Sequence, residues 1–75
     1  MNIHDLSPGD RVRLVGYGKT TADYRRRLMI LGVRCGVEVK IIRFAPLGCP
    51  VEILVNGLLL AIRKNEAADL IWEFA

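Results

Sequence analysis

The stretch Arg43-Phe44-Ala45-Pro46-Leu47-Gly48-Cys49-Pro50 constrains the chain more than any other, because it parts two runs that both read as strands. Val37, Val39 and Ile41 alternate with Glu38 and Lys40 before it; Val51, Ile53 and Val55 alternate with Glu52 after it. A period of two puts each apolar set on one face of a half-buried strand. Pro46 and Pro50 lack a backbone N–H and hold φ at about −65°, so neither suits a central ladder. Each drives its predecessor, Ala45 or Cys49, toward extended geometry, while Gly48 is free to take positive φ. A stiff, shaped connection is expected. Phe44 is expected to fold back and plug one end of a small core. For Leu47, a core plug and an outward anchor for a partner fit the residues equally, since single exposed apolar residues are common.

The remaining elements follow in order. Leu6-Ser7-Pro8-Gly9-Asp10 reads as a tight turn. It feeds a strand over 11–16 with Val12 and Leu14 inward and Arg11 and Arg13 outward. Gly16 and Gly18 open the backbone for a change of direction. Thr20 or Thr21 caps a helix over 22–31, with Asp23 near its positive end. Tyr24, Leu28 and Leu31 form the buried stripe and Ile30 its edge; Gly32 ends the helix. A strand over 37–44 precedes the proline loop, and one over 51–55 follows it. Asn56-Gly57 is a two-residue hairpin turn leading to a strand over 58–63, with Leu58, Leu60 and Ile62 on one face. Asn65 caps a short helical turn over 65–68. The last strand, 70–74, puts Leu70, Trp72 and Phe74 inward and Ile71 and Glu73 outward.

Five short strands without a βαβ repeat favour antiparallel pairing. At 75 residues, curling the sheet is the way to bury one face and limit open edges. The expected fold is mainly β, with one α-helix and a short helical turn: a small SH3-like antiparallel β-barrel forming a single domain over residues 1–75. A chain this short is marginal alone, but 52% hydrophobic residues exceeds what disordered segments carry. Only Cys35 and Cys49 occur, far apart, so a disulfide scaffold is not indicated. Cys35 is expected to be a buried or half-buried packing residue, Cys49 to be exposed. Residues 1–14 hold no apolar h-region, and no window approaches the roughly 20 apolar residues of a membrane span. These features predict a soluble protein of a reducing compartment.

Eleven basic against eight acidic residues give a formal charge of +3, which permits nucleic acid, an anionic membrane or an acidic protein surface and selects none. No GxxxxGK[ST] or GxGxxG pattern occurs. His4 is the one histidine, no acid–base pair flanks a nucleophile, and no metal-ligand spacing is present. The chain is therefore not expected to be an enzyme. Arg25, Arg26, Arg27, Arg34, Arg43 and Arg63 read as a solvated face rather than a nucleic-acid site. The aromatics that would stack bases, Tyr24, Trp72 and Phe74, fall on inward stripes and leave only Tyr17 and Phe44.

Three separated segments carry a resemblance. Tyr24-Arg25-Arg26-Arg27-Leu28-Met29-Ile30-Leu31-Gly32-Val33-Arg34-Cys35-Gly36 resembles the helix-and-turn signature of the FeoA family. Ala45-Pro46-Leu47-Gly48 with Pro50 resembles its loop, and Leu60-Ala61-Ile62-Arg63 before Glu66-Ala67 its late strand. The match runs in order from about Leu6 to Trp72. FeoA proteins are small cytoplasmic SH3-like domains of bacterial ferrous-iron uptake. The resemblance implies an accessory or regulatory role beside FeoB, the transporter with a cytoplasmic GTPase domain, with FeoC as a further partner in some bacteria. Action would be in the cytoplasm, at the inner face of the membrane through the partner, with no insertion of its own. A related domain ends iron-dependent repressors of the diphtheria-toxin-repressor type. A nucleic-acid-binding barrel or a relative of that repressor domain is the alternative reading.

The partner-binding residues expected are Phe44, Ala45, Pro46, Leu47, Gly48 and Cys49, with Tyr24, Arg25 and Arg27 of the helix face. The family usually carries Asp where this chain has Cys49, so any role resting on that carboxylate is lost. No cofactor and no specific iron site are expected, because ferrous iron favours His and carboxylate ligands; contact of Fe2+ with Cys49 would be weak and adventitious. Leu59 and Ile71, on outward strand faces, make self-association through an open edge a further expectation.

Overall fold

Alternation becomes strand nearly where it is read. In the computed structural model, which describes residues 1–75, the strands are β1 (Arg11–Gly16), β2 (Glu38–Phe44), β3 (Val51–Val55), β4 (Leu58–Ile62) and β5 (Ile71–Phe74). Helix α1 (Ala22–Ile30) lies between β1 and β2, and the short α2 (Lys64–Ala67) between β4 and β5. The sheet runs β4-β3-β2-β1-β5, antiparallel throughout. Its inner face supplies Val12, Leu14, Val39, Ile41, Val51, Ile53, Val55, Ile62 and Trp72 to one buried cluster, closed by Leu28 of α1 and by Ile3, Leu6, Val33, Ala67 and Leu70.

The sheet curls round that cluster without closing on itself. At the β5 end the chain terminus covers the open edge: the Trp72 N–H donates to the Met1 carbonyl at 2.8 Å and the Met1 ammonium donates to the Trp72 carbonyl at 2.6 Å. At the other end β4 pairs with β3 alone. No helix is long and apolar enough to cross a membrane.

Helix α1 starts as expected. Thr21 is its N-cap, its hydroxyl accepting from the Tyr24 N–H at 3.3 Å. Gly32, at φ 94°, ends it. The buried stripe is narrower than its periodicity implies. Leu28 is buried and Tyr24 half-buried, but Leu31 is 44% exposed and Ile30 is exposed outright. A helix of under three turns laid against a small curled sheet has room to bury only its central position.

Other expectations fail at element ends. Phe74 keeps the face of Trp72 but is 60% exposed, because it is the last residue of an edge strand with nothing beyond to close over the ring. Leu58 shares the face of Leu60 and Ile62, as its register opposite Val55 shows, but is exposed because β4 is an edge strand and Leu58 lies at its turn end. Cys35 is exposed, not packed. It stands at the corner of a turn closed by the Val37 N–H donating to the Arg34 carbonyl at 3.0 Å. The short helix begins one residue earlier than expected, at Lys64, and no side chain caps it.

One element was not read from the pattern at all. Ile3–Asp5 form a 3-10 turn with reciprocal Asn2 and Asp5 side-chain caps, and the turn buries Ile3. Asn2 with a carboxylate three residues on is the local signal for it.

Candidate docking surface

The loop between β2 and β3 is ordered by its own backbone. The Ala45 N–H donates to the Pro50 carbonyl at 3.0 Å and the Gly48 N–H to the Ala45 carbonyl at 2.8 Å, closing a tight turn with Pro46 and Leu47 at its centre. Ala45 and Cys49 are extended, as their following prolines require. Below the loop, Arg43 Nε donates to Glu52 Oε2 at 3.0 Å across the β2–β3 pair.

Phe44 is half-buried against the core cluster, as expected of a plug. Lys64 Nζ lies 4.4 Å from the centre of its ring, so the loop is tied to the start of α2. Leu47 goes the other way. Its exposure is 105% of the reference value, and its backbone sits at φ 70°, ψ 9°. That left-handed conformation costs a side chain branched like leucine roughly 1–2 kcal/mol. Gly48 follows at φ 85°. Pro46 and Cys49 are exposed and Ala45 half-buried, so the rim of the loop presents Leu47 at its crest.

The helix-face residues lie apart from this crest. Tyr24 and Arg27 line a groove of about 210 Å³ shared with β4 and with Arg63 and Glu66. Arg25 faces a second groove, with Arg26 and Arg34. Helix α2 stands between the two regions, Lys64 touching the loop side and Glu66 the groove side. Burial raises the Tyr24 phenol above its ordinary value, Glu66 adds to the rise and Arg27 opposes it. Burial likewise raises Tyr17, with Cys35 adding and Arg34 and Arg25 opposing. The Tyr17 hydroxyl donates to the Val33 carbonyl at 2.8 Å. No group of three or more His, Cys, Asp or Glu side chains is gathered anywhere. Sequence reasoning missed β4 as part of this surface. Its signal was a strand free of charge and proline, Leu58-Leu59-Leu60-Ala61-Ile62.

Known proteins share this arrangement. The FeoA domain model matches residues 1–73. The FeoA protein from Chlorobium tepidum is 40% identical, with a TM-score of 0.90 over 99% of this chain and 70% of that one. FeoA from Stenotrophomonas maltophilia, solved with zinc, is 25% identical, with a TM-score of 0.79 over 97% of this chain and 89% of that one. It is described as a procaryotic SH3 domain protein with a suggested part as a bacterial ferrous iron transport activating factor. T. acidophilum IdeR, 23% identical, matches at a TM-score of 0.86 over all of this chain and 34% of its own, and so shares the fold. The open curled sheet is therefore SH3-like, and the chain belongs to the FeoA family.

Proposed function

We propose that this protein is a non-enzymatic accessory factor of ferrous iron uptake that docks on the cytoplasmic part of FeoB, with Leu47 as its anchor. One observation carries the reading: a leucine is held in a costly left-handed backbone conformation with its whole side chain in solvent. A stable fold gains nothing from that choice, since Asn or Gly would hold the same corner without the penalty. Strain kept at an exposed apolar residue is what a binding anchor requires. The stiff loop lowers the ordering cost of docking, and the arginines of α1 steer the encounter more than they hold the complex.

In this reading the chain acts on the transporter from the cytoplasmic side and carries no resident iron; anaerobic titration calorimetry with Fe(II) tests the second half. The test of the first is retention of the cytoplasmic domain of FeoB on the immobilised protein, with GDP, with a non-hydrolysable GTP analogue and without nucleotide. Binding in at least one state, lost in Leu47→Asp, is the expected result. Retention in no state overturns the proposal. The likeness to IdeR supports a shared fold and no more.

A further inference from the structure

Of the two ends of the sheet, only one is protected. The edge of β5 is covered by Met1 and carries Glu73. The edge of β4 carries neither cover nor charge nor proline along Leu58–Ile62, and an uncovered apolar edge strand is a template for another strand. In the register closed by Val55 and Leu58, the ladder to β3 uses Leu58, Leu60 and Ile62. The N–H and C=O groups of Leu59 and Ala61 therefore point away from the sheet.

Beside this edge lies the groove of about 210 Å³ under α1, floored by Leu28, Leu31, Leu60 and Ile62. Its charged rim is Arg27, Arg63 and Glu66. Neither arginine takes part in an ion pair; the two salt bridges of the molecule lie elsewhere. Backbone groups for a strand, a pocket for its apolar side chains and two free cations for acidic ones thus lie side by side.

We propose that the outer edge of β4 receives an extended segment of a partner protein as an added strand, whose groove-facing residues are apolar at the centre and acidic at the ends, beside Arg27 and Arg63. Main-chain bonds supply the affinity of such pairing and the alternate side chains its specificity. A second copy of this chain is the poorer occupant. Strand-to-strand pairing about a twofold axis would set two helices bearing Arg25, Arg26 and Arg27 side by side, on molecules of charge +3 each. The site is separate from the Leu47 crest, and either can fail without the other.

The test titrates the full chain, isotope-labelled for NMR, with a capped peptide of about eight residues in which threonine alternates with groove-facing glutamate, valine, valine and glutamate. The amides of Leu59 and Ala61 are expected to shift and to become protected from exchange. Peptide N-methylated on alternate residues should bind at least about tenfold more weakly, as should unmodified peptide to Ala61→Pro. That variant removes an outward N–H and leaves the β3 ladder its bonds. Arg27→Gln with Arg63→Gln should weaken binding about fivefold, and Leu47→Asp should leave it unchanged. Equal binding of the N-methylated peptide, shifts confined to residues 44–50, or no binding overturns the proposal. Protection of β4 amides by raised protein concentration alone also overturns it, in favour of a second copy.

Discussion

Two corners flank β3, and they share a backbone but not a chemistry. At one, Asn56 and Gly57 take φ 51° and 78°; at the other, Leu47 and Gly48 take φ 70° and 85°. Asn visits the left-handed region readily because its short polar side chain bonds locally, and the pair forms the hairpin turn whose twist suits its strands. Leucine has no such compensation. The Asn56 corner is thus the cheap solution to reversing a chain, and the Leu47 corner a costly one. What the second obtains for its cost is an apolar side chain standing free of the molecule. One corner serves to fold the sheet; the other, in the function proposed, offers an apolar side chain to another surface.

The largest expected effect tests that division on its functional side. Leu47→Asp should weaken binding to the cytoplasmic domain of FeoB by about 2 kcal/mol, roughly thirtyfold, as for an interface anchor. Its unfolding free energy in urea should not fall below that of the parent, because the side chain touches no core and Asp tolerates the left-handed region better than leucine. A variant that unfolds instead shows Leu47 to be structural, and the two corners then do the same job.

Exchanging the chemistry of the corners comes next. Asn56→Leu should destabilise the fold by about 1 kcal/mol, and Leu47→Asn should stabilise it by about the same while weakening partner binding. The two unfolding curves, displaced in opposite directions, check both at once. Displacement of both in one direction breaks the equivalence of the backbones.

The cheap corner was legible in the residues and the costly one only in part. Asn-Gly between alternating runs names its turn, and so does Ser7-Pro8-Gly9-Asp10. The loop's prolines announce its stiffness, but nothing in Leu47-Gly48 says that the leucine, rather than the glycine alone, takes positive φ. The core was legible wherever alternation met a central strand: Val12, Leu14, Val39, Ile41, Val51, Ile53 and Val55 are all buried. It was not legible where a strand or helix outruns the core, as at Leu31, Leu58 and Phe74. Periodicity reports which face a residue takes and not whether anything lies opposite it. The groove beside β4 was hidden for that reason, being a place where two elements fail to meet.

Support for the cheap corner comes from α1, whose C-terminal Gly32 lies against Asn56 so closely that a Cβ there would come within 3.0 Å of the amide nitrogen. Tyr17 holds this region by its bond to the Val33 carbonyl. Tyr17→Phe should cost about 1 kcal/mol and raise amide exchange around residues 32–33 and 56–57, not around 44–50. Both half-buried phenols have pKa values raised above 10.0. The neutral form is favoured by folding, so their contribution is whole below pH 10 and falls as pH climbs through the raised values. Stability measured from pH 9 to 12 should therefore drop, and less steeply in Tyr17→Phe. Equal slopes for the two proteins would mean that the phenol titrates as if exposed.

The costly corner has its own support, and the smallest effect belongs there. Lys64 Nζ stands 4.4 Å from the centre of the Phe44 ring and 3.6 Å from where a Cβ on Gly48 would lie. One cation thus braces the foot of the loop and its crest together. An exposed cation–π contact contributes about 0.5 kcal/mol, and Lys64→Met keeps the stem length while removing the charge. Global stability should fall by no more than that amount. Amides of residues 45–49 should exchange faster, while those at 56–57 stay unchanged. Partner binding should weaken about twofold, because a looser crest must be ordered on docking. Unchanged exchange in the loop would mean that its own backbone bonds from Ala45 and Gly48 suffice, and that the strain at Leu47 is borne by the turn itself rather than by α2.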